Sequence, residues 1–328
     1  MADAILQLKG RGGDDDARRS VFAAHQRIGL DGLLRELRPS GRRVSVPAAA
    51  AEEGFRWGWR EQFSGTWWPQ GIDVRRHGDG WLILISWFAQ KGRQQLASRI
   101  TVVHLQPRRR PRIAHVALVE PAPDGSLLPI AVHAGGIAWH GDRIYVADTF
   151  GGLRVFDTAD VIRVRRARGR GYALPQLSGF EASTGHGARR MRYSFVSLED
   201  ASTGPQLVVG EYRNDTDDSR LARFRLGSDG DVIGSATVEV HVPNVRRMQG
   251  ACVVDGVWCV TTSEGTRAGG DLWVGTPSGP TRHRGVLTPG PEDLAHERGT
   301  HMVWTLGEWP GRRYVYRIDL DRWTPVTD

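Results

Sequence analysis

Four carboxylates recur at one place in four similar segments. Asp148, Glu211, Glu264 and Glu308 each follow a small residue, in Ala147-Asp148, Gly210-Glu211, Ser263-Glu264 and Gly307-Glu308. Each stands at or near the end of an apolar run of strand composition, and Trp87 holds the matching place in a fifth segment. Carboxylates drawn together raise one another's pKa unless a proton or cation is shared. A ring of them could bind Ca²⁺ or another divalent cation through oxygen ligands. It could also hold an amine, or divide acid and base roles between two members. The competing reading satisfies each acid locally, by loop amides or by an arginine such as Arg192, Arg213 or Arg247.

A second set marks the entrance to each segment: Gln70, Gly135, Tyr193, Gln249 and Glu292, with Trp68, His133, Met191 and Arg247 two positions earlier. Histidine is the side chain suited to proton transfer near neutral pH, so His133 beside Asp148 would make an acid/base or ligand pair. Together with Glu211, Glu264, Glu308 and Tyr193, these two form the expected catalytic set. Gln70 and Gln249 would orient a polar ligand from opposite sides, aided by Glu292, Arg192 and Arg247. Trp68 and Trp87 could stack on a sugar, an aromatic ring or a cation. Each residue has a plainer role as well: a hydrogen-bonded histidine, glutamines on loop backbone, tryptophans in packing.

The elements that would position these residues repeat along the chain. First strands begin WPQGIDV at Trp68, HAGGIAW at His133, MRYSFVS at Met191, RMQGACV at Arg247 and GPEDLAH at Gly290. The starts lie roughly 43 to 65 residues apart, the length of a four-stranded propeller blade with its loops. Second strands read WLILISW, RIYVAD, QLVVGE, WCVTTSE and MVWTLGE, and third strands SRITVVHL, GLRVFD, RLARFRL, DLWVG and RYVYRIDL. Fourth strands are legible in HVALVE and TVEVHVP. The expected fold is an all-β, five-bladed β-propeller, with six blades as the alternative. In such a ring the loops entering first strands and leaving second strands open on one face, which brings both residue sets together. The last unit ends after its third strand, and an N-terminal strand from RRVSVP or FRWGWREQF would complete it and close the ring.

Residues 1–50 differ, with apolar positions at Val21, Phe22, Ile28, Leu30, Leu33, Leu34 and Leu37 that suit one or two short amphipathic helices. They are expected as an N-terminal helical arm, with the propeller over 51–328. Two cysteines exclude a disulfide-rich scaffold. In ACVVDGVWCV, Asp255-Gly256 signals a two-residue hairpin that sets Cys252 opposite Cys259, as buried thiols or as a cross-strand disulfide. The net charge of +7 is carried almost wholly by arginine, with clusters at Arg108, Arg109, Arg110 and Arg112 and at Arg163, Arg165, Arg166, Arg168 and Arg170. No nucleic-acid-binding motif accompanies the charge, so nucleic acid is not the expected partner. No apolar run approaches the roughly 18 residues of a membrane span. The N-terminus shows no apolar signal core, which favours a cytoplasmic location, or a secreted one if a signal has been trimmed.

The segments WPQGI, HAGGIAWHGDRIYVADTFGGLRVFD, RYSFVSLED, LVVGEYR, RMQGA, GDLWV, GPEDL and RRYVYRIDL resemble a family of actinobacterial proteins usually described only as secreted or hypothetical. The resemblance covers about Trp67 to Leu320 and implies a propeller-type repeat fold, with no activity or catalytic residues to carry over. GxSxG, HExxH and P-loop motifs are absent, and so is a convincing GxGxxG. These absences leave three readings. The first is an enzyme acting on a small molecule in the axial pocket by acid/base or electrostatic catalysis, as a lyase, cyclase, isomerase or hydrolase. The second is a carbohydrate- or small-ligand-binding module, and the third a protein-interaction scaffold. The unlike entrance residues favour one composite site over one site per blade. Oligomeric state is not legible.

Overall fold

The computed structural model describes residues 6–166, 169–185, 189–216, 218–233 and 239–324. The chain forms an all-β propeller in which five sheets surround an axis. Sheet I starts from the inner strand Trp67–His77 and continues outward through Gly80–Lys91, Gln94–Leu105 and Arg112–Pro121. Sheets II to V have the inner strands Ile137–His140, Phe195–Ala201, Met248–Val254 and Pro291–Glu297. Each inner strand packs on the next, and that of sheet V returns to that of sheet I. The ring is closed.

The five blades expected from sequence, with six as the alternative, form only in part, since four of the five sheets are of blade size. Sheets II to V are of blade size, with four or five strands, whereas sheet I has nine. Its extra strands include Gly169–Pro175, which runs parallel to Arg112–Pro121. The continuous apolar run of Gly80–Lys91 is buried on both faces almost throughout, as expected for a strand covered by neighbours on either side.

Residues 6–50 contribute strands to the sheets. Leu6–Arg11 pairs antiparallel with Ser178–Thr184 at the outer edge of sheet II, where Leu6 and Leu8 are buried. Arg42–Val44 pairs with Ala51–Arg56, which pairs with Tyr314–Asp319 and completes sheet V. Helices Asp15–Ala24 and Gly29–Glu36 do form, the first capped by the Asp14 carboxylate on the Ala17 N–H (2.9 Å). Their buried Val21 and Leu33 pack with residues of sheet I. That apolar face needs cover, and sheet I supplies it. Among the described residues, no helix is long and apolar enough to cross a membrane.

At the expected hairpin, Asp255 (φ 49°) and Gly256 (φ 81°) both adopt the left-handed conformation, as a type I′ turn requires. Cys252 and Cys259 face each other across it as buried free thiols rather than a disulfide. Their mutual hydrogen bond, with burial, pushes the Cys252 thiol well above its ordinary value. Of the sequence features named above, Arg168, Thr237 and Val238 lie outside the described residues, as do the side chains of Arg166 and Arg170.

Near the axis the inner strands touch backbone to backbone. A Cβ on Gly71 would lie 2.5 Å from the Ile137 nitrogen, one on Gly136 2.1 Å from the Val196 nitrogen, and one on Gly250 2.4 Å from the Asp293 Cα. At that level the buried Asp293 carboxylate accepts the N–H groups of Ile72 and Ile137 (3.4 Å each) and Leu294 (2.9 Å), tying sheets I, II and V together. Gly136→Ala is therefore expected to destabilise the protein by at least about 1–3 kcal/mol, the usual cost of overpacking. Urea melts read this directly, and a wild-type midpoint would contradict the close approach.

Candidate active site at the mouth of the axis

One step outward from that contact level lie Gln70, Gly135, Ser194, Gln249 and Glu292. All but Gly135 help to line a cavity of about 540 Å³. His133, Asp148, Phe150, Arg192, Tyr212 and Glu308 complete its functional wall.

Two carboxyl groups form its centre. Glu292, 3% exposed, is hydrogen-bonded to Glu308. Two carboxyl groups can share a hydrogen bond only if one of them holds a proton. Burial, then the charges of Glu308 and Asp293, push Glu292 well above the carboxylate range. Burial also lifts Glu308 to about 7, although hydrogen bonds from Gln70 and Glu292 and the Arg313 charge pull it down. Glu292 is therefore the donor of the pair and Glu308 the acceptor. The glutamines fix one oxygen of each, Gln249 Nε2 donating to Glu292 Oε1 (3.0 Å) and Gln70 Nε2 to Glu308 Oε2 (3.5 Å).

Behind Glu308 lies the fully buried Arg313. Its Nε donates to the Glu308 carbonyl (2.6 Å), and its guanidinium sits over the rings of Trp68 (5.4 Å) and Trp87 (5.8 Å). Burial lowers this guanidinium to about 10 against the pull of Glu308. Trp68 and Trp87, expected on the ligand, therefore hold an arginine. Trp87 is also wholly buried, 4.9 Å from Trp57, because its strand continues to Lys91. Trp68 packs edge-on against Trp309.

Gln70, His133, Asp148, Arg192, Gln249, Glu292 and Glu308 all reach the cavity. The expected His133–Asp148 pair does not form. Asp148 turns to Arg154 Nε (3.0 Å), and the His133 ring packs on Phe88 at 4.3 Å. Burial, with the nearby Arg192 charge, lowers His133 to about 4, which leaves the imidazole neutral near pH 7.

Tyr193 faces away from the cavity, into the core with Phe224. The pairing Val196↔Val209 sets Ser194 at the lining position, and a one-residue slip reverses every side chain. Glu211 is also turned inward, fully buried. It accepts from Arg220 Nε and Nη2 (3.0 Å each) and from the backbone N–H groups of Arg192 (3.0 Å) and Arg220 (3.1 Å). Burial alone would raise it, but these bonds and the charges of Arg220 and Arg189 hold it below the ordinary range. Glu264 bridges Arg247 Nη1 and Arg282 Nη2 (3.1 Å each) outside the cavity lining, which removes Arg247 from ligand contact too.

The acidic ring thus dissolves, and register explains why. The equivalent ladder pairs are Ile72↔Ile85, Ile137↔Val146, Val196↔Val209, Ala251↔Val260 and Leu294↔Thr305. Two residues beyond each second-strand member stand Trp87, Asp148, Glu211, Thr262 and Gly307. Glu264 and Glu308 are displaced from that level by two residues and one. Among the described residues, no three His, Cys, Asp or Glu side chains come together as a metal site, so a Ca²⁺ ring has no ligand set there.

Sequence reasoning missed Ser194, Tyr212 and Phe150. Tyr212 follows the inward-turned Glu211, and strand alternation places neighbouring residues on opposite sides. Burial raises its phenol; around it lie the charges of Arg247, Glu292, Glu308 and Arg192. Phe150 is 53% exposed, with Arg192 5.5 Å and Arg190 5.8 Å from its ring centre.

No family model and no curated protein matches this chain. Among solved structures it is similar to the GH43_1 enzyme from Xanthomonas citri complexed with xylotriose, at 9% identity over 92% of each chain with a TM-score of 0.38. It is likewise similar to a GH43 β-xylosidase/α-arabinofuranosidase from a compost microbial metagenome, at 10% identity over 84% of this chain and 95% of that one, TM-score 0.43. The glutaminyl cyclase of Myxococcus xanthus gives 14% identity over 86% and 97%, TM-score 0.39. At such values these likenesses carry no argument about the chemistry of this chain.

Proposed function

We propose that this propeller is an enzyme that transforms a small organic molecule by acid/base catalysis at Glu292 and Glu308. In this reading the nine-stranded sheet counts as one enlarged blade of a five-bladed ring. The supporting observation is the buried, proton-sharing carboxyl pair, oriented by two glutamines at the mouth of the axis. Such a pair offers a base and an acid within one hydrogen bond of each other. Glu308 takes a proton from the substrate while Glu292 supplies one to a neighbouring atom, and Tyr212 and neutral His133 contribute hydrogen bonds. Lyase, isomerase, cyclase and hydrolase chemistry all use that exchange. A two-carboxylate glycosidase fits less well, because it needs its carboxyl groups about 5 to 10 Å apart around the scissile bond. Trp68 and Trp87, the stacking platforms expected for a sugar-binding module, already cover Arg313.

The test is turnover. The protein and its Glu308→Gln variant are incubated with a mixture of small metabolites and followed by mass spectrometry. The wild type should deplete one compound with matching product. The variant should do so about 10²–10⁴-fold more slowly, the usual worth of a positioned acid or base. Equal depletion by both would remove the carboxyl pair from the mechanism, and retention without product would favour the binding module.

A further inference from the structure

We infer that the ligand of this cavity is an organic oxyanion, whose carboxylate or phosphate group is held by Arg192 against the face of Phe150. The inference deepens the acid/base reading and rests on it for the cavity being a reaction site.

Charge balance around the cavity carries the argument. Of its three carboxylates, Asp148 is neutralised by Arg154, while Glu292 and Glu308 share a proton with Arg313 behind them. Below about pH 7 no ionised, unpaired carboxylate is left there to receive an amine. Arg192 stands the other way round. Its backbone N–H is bound by Glu211, but among the described residues its guanidinium has no carboxylate partner, and its Nε is buried without a hydrogen bond. A half-buried guanidinium is a fork of donors shaped for a planar carboxylate or a phosphate.

A second observation points the same way. A smaller cavity of about 190 Å³ shares Asp148 and Phe150 with the first and is lined by Arg11 and Arg190. Arg190 donates to the Phe150 carbonyl and, like Arg192, lies by its ring. Arg190 and Arg192 therefore gather at one aromatic wall, that of Phe150. An anionic ligand with a flat apolar body suits that wall.

Benzoate, phenyl phosphate and benzamide are the probes, measured by calorimetry on the whole protein. At least one of the two anions should bind, and tighter than benzamide by a factor of about ten or more. Arg192→Gln should weaken that binding at least about tenfold, the loss of one charge-assisted pair, and leave benzamide unchanged. Arg192→Lys, which keeps the charge but loses the fork, should fall between. Whichever anion the wild type prefers identifies the carboxylate or the phosphate as the natural group. Failure of both anions to bind, benzamide binding as well as the anions, or wild-type affinity in Arg192→Gln would each overturn the inference. Glu308→Gln separates it from the acid/base reading. Anion binding retained with turnover lost supports both. Glu308-dependent turnover of a neutral compound defeats only the oxyanion assignment, and anion binding without Glu308-dependent turnover defeats only the acid/base assignment.

Discussion

Glu211→Gln is expected to destabilise the protein by about 3–5 kcal/mol, the penalty for leaving a buried charge without its partner. Glu211 is fully buried, and Arg220, itself 7% exposed, meets it through both Nε and Nη2. The substitution leaves the Arg220 guanidinium buried and uncompensated. It also weakens the acceptor for two backbone N–H groups, one of them on Arg192 at the cavity wall. The sign with pH follows from Glu211 lying below its ordinary 4.5 when folded. Its contribution is full above about pH 4.5 and is lost as pH falls through the folded value, so the variant's deficit is constant near neutrality and shrinks in acid. Urea melts at pH 7 and pH 4 measure both parts. A variant as stable as wild type but inactive would return Glu211 to the catalytic set.

That residue also shows where the sequence stopped being informative. The repeat of strands was legible because burial of alternate residues leaves a periodic record, and the Asp255-Gly256 hairpin because only certain residues tolerate its φ values. The site was half legible. Gln70, Gln249 and Glu292 were found as entrance residues, since aligning the first strands sets them at one level. Tyr193 was chosen over Ser194 because a loop before the strand hides the register by one residue, and one residue decides the face. The four acids looked alike because each follows a small residue near a strand end. What separates them is the identity of the cation that reaches each one, and Arg220, Arg154, Arg282 and Arg313 arrive through folding. The strands of sheet I beyond the blade, and the weaving of residues 6–50 into the sheets, left little periodic signal. Their strands are short, as Gln26–Arg27 and Arg38–Pro39 are, and their partners are distant in sequence.

Glu308→Gln should act on stability in the opposite direction to Glu211→Gln, and only at higher pH. An unfolded glutamate releases its proton near 4.5, whereas folded Glu308 holds it to about 7. Between those values the unfolded chain binds fewer protons than the native one, so this residue lowers stability as pH rises. The penalty is absent below about 4.5 and complete above about 7, reaching at most about 3 kcal/mol at 1.36 kcal/mol per unit. Glutamine carries no such penalty and can still accept from Gln70. The variant should therefore match wild type at pH 4.5 and exceed it by up to that amount at pH 8. Parallel stability profiles for the two proteins would show that Glu308 ionises normally. A gain in stability that accompanies a loss of turnover is the mark of a group kept strained for chemistry. The same titration should govern rate. Glu308 must be ionised to accept a proton while Glu292 stays protonated, so kcat/KM should rise through pH 7, on a limb that Glu308→Gln abolishes. A rate that stays flat between pH 6 and pH 8 would take the base role away from Glu308.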